Sequence, residues 1–147
     1  MEVKGGMTML SEHNLTEARN SFSALYDQVF NTFKPTIIKR KKTEEVLLLR
    51  VDLQKMLLSH FSLRPEVIFE DDGSITLALD QLEIYINSQS KEEAIIQLIE
   101  EIKLYSQDYI QRSQMFFHAP NRRPHFPYVL RVLLCNTDEE IRDLLEL

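Results

Sequence analysis

Two groups of residues in this chain of 147 have the types and spacing for chemistry. The first is cationic: Lys39, Arg40, Lys41 and Lys42 are consecutive, and Arg19 stands apart within a stretch striped with apolar residues. Arginine can contact guanine or phosphate through two parallel hydrogen bonds and lysine supplies a point charge, so such a set can bind a polyanion. Arg19 lies outside the apolar stripe, and its i+4 position is Ser23, so no local ion pair calls for an arginine there. A lone run of four cations is most often a solvated turn, so this one needs a scaffold before it reads as a site. The second group is acidic. Glu70, Asp71, Asp72, Asp80 and Glu83 have the carboxylate density of a metal-dependent nuclease. Turn chemistry accounts for them better: Asp71 and Asp72 adjoin Gly73, and Glu83 alternates with apolar neighbours as a solvent-facing strand residue. His13, His60, His118 and His125 lack metal-ligand spacing, and Gly5, Gly6 and Gly73 form no phosphate-cradling loop. The single cysteine, Cys135, excludes an internal disulfide and reads as a buried thiol. No catalytic residue, metal or cofactor is expected, and the chain is not read as an enzyme.

Composition, at 44% hydrophobic and 27% charged, is that of a soluble globular protein. No apolar run is long enough for a membrane span and no signal peptide is visible, so a cytoplasmic protein without membrane contact is expected. The net charge of -6 conceals an asymmetry. Up to Arg64 there are ten Lys and Arg against seven Asp and Glu, and beyond it seven against sixteen. A basic front can neutralise phosphates, whereas an acidic back suits a basic protein partner.

The elements that must position these charges follow from periodicity. Leu15, Ala18, Phe22, Leu25, Val29 and Phe33 recur every three or four residues, which predicts one amphipathic helix over 14–33, capped by Asn14 with Glu17 as its reciprocal partner and ended by Pro35. Residues 36–40 predict a strand and residues 46–50 a second, more completely buried one, joined by a charged turn over 41–45. Asp52 is expected to cap a helix with Leu53, Met56, Leu57, His60 and Phe61 on one face, and residues 7–10 could form an edge strand. After Pro65 comes a hairpin, 66–70 and 74–79, whose Asp-Gly suggests a type I′ turn. A third strand over 82–87 and a helix from Ser90 to about Tyr109 follow. Three of the five prolines fall within 119–127 and predict a linker or fixed loop. Two short helices, over 128–135 and 138–147, close the chain, the second capped by Thr137 with Glu140. The fold class is therefore α+β in two domains, 7–62 and 65–147.

The order of these elements over residues 7–61, with Thr16-Glu17-Ala18-Arg19 opening the first helix, IIKRKK forming strand and turn, and VDLQKML following a valine- and leucine-rich strand, resembles the N-terminal domain of Phd/YefM-type antitoxins. Lys42-Thr43 stands where that family usually has a turn glycine. The resemblance implies a dimerisation and DNA-binding domain, with Arg19 and Arg40 carried over as its contacts and Lys39, Lys41 and Lys42 beside them. The stretch from Phe69 to Tyr105 is similar to the HicB-like antitoxin fold, with Asp80-Gln81 replacing that family's proline-glycine element. Together these imply an antitoxin and repressor of its own operator DNA, a homodimer or higher oligomer, whose acidic half neutralises a basic toxin protein. The alternative is a stand-alone dimeric regulatory module without a toxin.

Overall fold

Asn14 ends one strand and begins one helix, and the N-terminal part of the molecule is organised around that junction. The structure, a computed structural model, describes residues 9–147. It divides into two units, the first ending at Leu57 and the second running Leu58–Leu147. The fold is mixed α+β, with two three-stranded sheets and seven α-helices among the described residues.

In the first unit, β1 (Ser11–Asn14) leads directly into α1 (Leu15–Asn20). The Glu17 N–H donates to Asn14 Oδ1 at 2.8 Å, and the Asn14 side-chain amide donates back to the Glu17 carboxylate at 2.9 Å. The expected reciprocal cap therefore exists, closed side chain to side chain. The edge strand expected over 7–10 is instead β1: Met9 and Leu10 precede it, and Met7 and Thr8 lie outside the described residues. The single helix expected over 14–33 is two. At Ser21 the hydroxyl donates to the Glu17 carbonyl at 2.8 Å, the backbone leaves the helical region, and α2 (Phe22–Thr32) starts afresh. Such back-bonding by serine is a known cause of helix bending. A left-handed Phe33 (φ 61°) ends α2 two residues before Pro35.

β2 (Thr36–Arg40) then pairs parallel to β1 and antiparallel to β3 (Glu44–Leu48), and α3 (Val51–Leu58) follows. The turn is shorter than expected, residues 41–43, so β3 begins earlier. The expected burial of the second strand is not found: Val46 is 66% and Leu47 51% exposed. The cause is cover: α1 packs on β1 and β2, and β3 lies beyond it. Asp52 sits inside the first turn of α3 rather than capping it. Met56, Leu57 and His60 are exposed while Leu58 is buried, so the expected face of α3 is displaced.

The second unit has an antiparallel meander of β4 (Glu66–Phe69), β5 (Ile75–Leu79) and β6 (Ile84–Ser88). Its first turn is not type I′. Gly73 alone of the turn residues takes a positive φ (87°), and its N–H donates to the Glu70 carbonyl at 3.0 Å, which is the geometry of a type I turn followed by a left-handed glycine. Asp72 accepts from the Ser74 hydroxyl at 2.5 Å and the Ser74 N–H at 2.9 Å, which holds its carboxyl below the usual range. Across the sheet lies α4 (Lys91–Gln111), with Ser90 accepting from the Glu93 N–H at 3.2 Å as its cap.

A helix not foreseen in the sequence, α5 (Ser113–His118), follows, then a 3₁₀ turn (Arg123–His125) and α6 (Phe126–Leu133). Pro127 lies in the first turn of α6, where a missing N–H costs nothing, so this proline starts a helix instead of blocking one. α7 (Asp138–Leu145) carries the full capping box of Thr137 and Glu140. Fourteen buried apolar side chains, among them Leu63, Leu77, Leu98, Ile102, Val129 and Leu145, form the core of this unit. Cys135 is half-buried, its thiol 3.6 Å from the Arg131 carbonyl.

Beside that core lies a polar cluster. Arg122 Nη1 donates to the Tyr105 oxygen at 3.4 Å, and the Tyr105 hydroxyl shares a hydrogen bond with Nδ1 of the buried His125, 2.6 Å away. His125 Nε2 lies 3.8 Å from a Glu83 carboxylate oxygen. Glu83 is not the alternating strand residue expected; it occupies a left-handed turn position (φ 56°) and also meets Arg122 at 3.4 Å. Burial, helped by the Arg122 charge, holds the His125 imidazole below its ordinary value. The folded protein thus binds fewer protons than the unfolded chain, so this contribution to stability is complete above the ordinary histidine pKa, roughly 6.5, and declines as pH falls below it. Thermal unfolding measured between pH 7.5 and 5 should show the midpoint falling, and His125→Gln should flatten that dependence.

Candidate functional site

Strand alternation decides where the cations of the basic run point. On one face of the first sheet, Lys39 lies directly opposite Glu45 and near Glu12, and its ammonium meets Glu12 at 2.7 Å and Glu45 at 3.4 Å. Hydrogen bonding to Glu12, more than to Glu45, raises Lys39 above the ordinary lysine range. The opposite face carries Thr36, Ile38 and Leu48. It is the helix-covered face, because Thr36 is buried and Leu48 shares a groove with Val29 and Phe30 of α2. Arg40 belongs to this side, and its Nε meets Glu44 at 2.7 Å across the turn.

Lys41 and Lys42 form the turn itself. Both are exposed, neither side chain has an ion partner among the described residues, and both hold left-handed backbone, with φ of 56° and 66°. Non-glycine residues in that region are uncommon, and left-handed pairs are more so. The register Asn14↔Lys39 brings the start of α1 to the same end of the sheet as this turn. Arg19, in the last turn of α1, is exposed and has no ion pair among the described residues. Of the five cations, Arg19, Lys41 and Lys42 are therefore unpaired, Arg40 has one exposed carboxylate, and Lys39 has two.

Sequence reasoning missed Arg50. Its guanidinium lies 4.1 Å from the centre of the Phe30 ring and 4.0 Å from that of Phe33, and Nη1 donates to the Phe30 carbonyl at 2.6 Å. Its remaining nitrogens form a two-pronged contact with Asp52, at 3.0 and 3.1 Å. Arg50 thus satisfies a carbonyl at the end of α2, braces the left-handed Phe33 and fixes the first turn of α3. The partners stand up to twenty residues away in sequence, so no local pattern signals the contact. It also borders an apolar groove of about 400 Å³ lined by Tyr26, Val29, Phe30, Leu48 and Val51. Along α2 and its end, Phe22, Tyr26, Phe30 and Phe33 are each about half exposed, and the Tyr26 and Phe30 rings lie parallel.

The acidic residues do not converge on a metal: among the described residues no group of three or more His, Cys, Asp or Glu could hold one. Nor is any described helix long and apolar enough to cross a membrane.

Two substitutions test this geometry. Arg50→Ala should destabilise the first unit by about 2 kcal/mol, from two cation–π contacts and a charge-assisted hydrogen bond, read as an earlier urea midpoint. Lys42→Gly should raise stability by up to about 1 kcal/mol by relieving left-handed strain. A lowered midpoint in the glycine variant would refute the strained turn.

Comparison with known proteins gives a consistent answer. The family model described as "PHD_like: Antitoxin of toxin-antitoxin, RelE / RelB, TA system" matches residues 9–147. No curated protein matches the chain. Among solved structures, a crystal structure from Syntrophomonas wolfei subsp. wolfei, assigned as the antitoxin part of a toxin/antitoxin system, is similar at 34% identity and a TM-score of 0.81, over 91% of this chain and 95% of that one. The fold built from these helices and sheets is thus shared nearly end to end with an antitoxin, and the chain belongs to the family of antitoxins of RelE/RelB toxin–antitoxin systems.

Proposed function

We propose that this antitoxin binds operator DNA as a homodimer through its N-terminal domain, residues 7–62 with a Phd/YefM-like architecture, and neutralises a basic toxin through its C-terminal domain, residues 65–147. It acts in the cytoplasm as a repressor of its own promoter and performs no catalysis. The observation that carries the DNA-binding reading is the meeting of α1 and an unpaired, strained lysine turn at one end of the sheet. Residues kept in unfavourable backbone conformations concentrate at functional positions. Arg19, Arg40, Lys41 and Lys42 are the proposed contacts to phosphate or base edges. Lys39, shared between two carboxylates, adds less to the field and chiefly braces the hairpin. Exposed Phe22, Tyr26 and Val46 support the dimer, since a second copy covering them removes them from water and doubles the cationic turns for a two-fold operator.

Each phosphate neutralised steepens the dependence of log K on log salt by about 0.9. Four contacts from each protomer give a slope near -7, and Arg19→Ala with Arg40→Ala together should flatten it by about 3.6. An electrophoretic shift series on the upstream promoter DNA at several salt concentrations measures this. Lys39→Ala should change the slope less than Lys41→Ala. Unaltered binding in the double variant would remove Arg19 and Arg40 from the site.

A further inference from the structure

The charge of the second unit is not spread evenly. Residues 109–137 contain four arginines and no Asp or Glu. α4 and α7 together carry nine carboxylates against three cations. The two helices are tied into one surface by Arg142 to Glu92, at 2.7 Å, and Lys103 to Asp138, at 3.0 Å. On the side of α4 turned away from the core, Ile96 and Leu104 are 56% and 58% exposed. They lie eight residues apart, about 12 Å along the helix. Glu93, Glu100 and Glu101 flank them on α4, and of these Glu93 and Glu101 have no ion pair among the described residues. Apolar residues inside a charged rim are the usual composition of a protein–protein interface.

On the outer face of the unit's sheet, by contrast, polar groups are already used internally. Asn87 donates to Ser74 and Thr76, and the Tyr85 hydroxyl donates to Asp80. We infer that the α4–α7 surface, with Ile96 and Leu104 as apolar anchors among unpaired carboxylates, is the docking face for a basic protein partner. The inference rests on the antitoxin reading above and names the part of the C-terminal domain that meets the toxin. Charge decides the occupant: a nucleic acid or an acidic protein is repelled by this face, whereas a basic partner gains in association rate and in register.

The test uses the full chain co-expressed with the tagged product of the adjoining reading frame, with growth and co-purification as readouts. Wild type should restore growth and co-purify. Ile96→Asp with Leu104→Asp should lower recovery about tenfold or more and abolish growth rescue. Glu93→Lys with Glu101→Lys should do the same without touching an apolar group. In both, operator binding and the thermal midpoint should match wild type, which separates lost docking from lost folding. Full recovery in both pairs overturns this face and leaves the antitoxin reading standing. If wild type neither rescues nor co-purifies, that reading fails for the gene pair and the inference falls with it. A changed oligomeric state of the free aspartate variant would mark the surface as a contact between copies of this chain and would equally overturn it.

Discussion

The first unit buries very little. Among its described apolar residues only Ala18, Leu25 and Val29 are fully inside, while a row of aromatics on α2 and both Val46 and Leu47 of β3 remain in contact with water. Hydrophobic burial is the main favourable term in folding, and a module of this size is marginal even with a complete core. Much else in the unit follows from that shortage. Arg50 uses two of the exposed rings as cation–π partners and spends its hydrogen bonds on the end of one helix and the start of the next. It does by directional contacts what a buried leucine would otherwise do by packing. The proposed dimer is the other answer to the same shortage, because the residues left bare lie on consecutive turns of α2 and along an edge strand, where a second copy can cover them together.

The second unit is built on the opposite plan. Its fourteen-residue core is closed within the unit, and two of its tyrosines are tied down there, with Tyr109 donating to the Arg122 carbonyl at 2.9 Å beside the Tyr105–His125 pair. A unit that completes its own core does not need a partner in order to fold. It can hold a surface such as α4–α7 in a fixed shape before anything binds there, which lowers the ordering cost of association.

What was legible in the sequence was what is decided locally. Asn14, Ser90 and Thr137 cap helices as their spacing indicates, because a cap needs only residues three apart. The position of the turn at Gly73 was legible for the same reason, but its type was not, since Asp72 uses its carboxylate to hold Ser74 instead of adopting positive φ. Contacts across sequence were invisible: Arg50 to Phe30, Glu12 to Lys39, Glu83 to His125. The break at Ser21 turns on one hydroxyl competing with a backbone N–H for the Glu17 carbonyl, a difference too small for periodicity to register. The apolar run at 46–50 promised a buried strand because hydrophobicity reports that a residue should be covered, not by which chain. Of the candidate site, residue types could be read directly, but the division between paired Lys39 and unpaired Lys41 and Lys42 depended on strand register.

That division also explains how a chain of net charge -6 can present a cationic site at all. At physiological ionic strength the screening length is about 8 Å, so a phosphate feels the charges beside it and little of the total. What matters is then local: Lys41 and Lys42, without an ion partner among the described residues, form the turn at the end of the sheet where α1 begins, and the carboxylates of Glu12 and Glu45 are engaged by Lys39 on the other sheet face. Two partners of opposite charge can be served by one small protein provided each surface is segregated, and residues 109–137, without a carboxylate, show how far that segregation goes even within the acidic half. Glu44 runs against this arrangement. Bonded to Arg40 in the free protein, it would have to release that arginine before the proposed phosphate contact could form, at the small cost of opening an exposed ion pair.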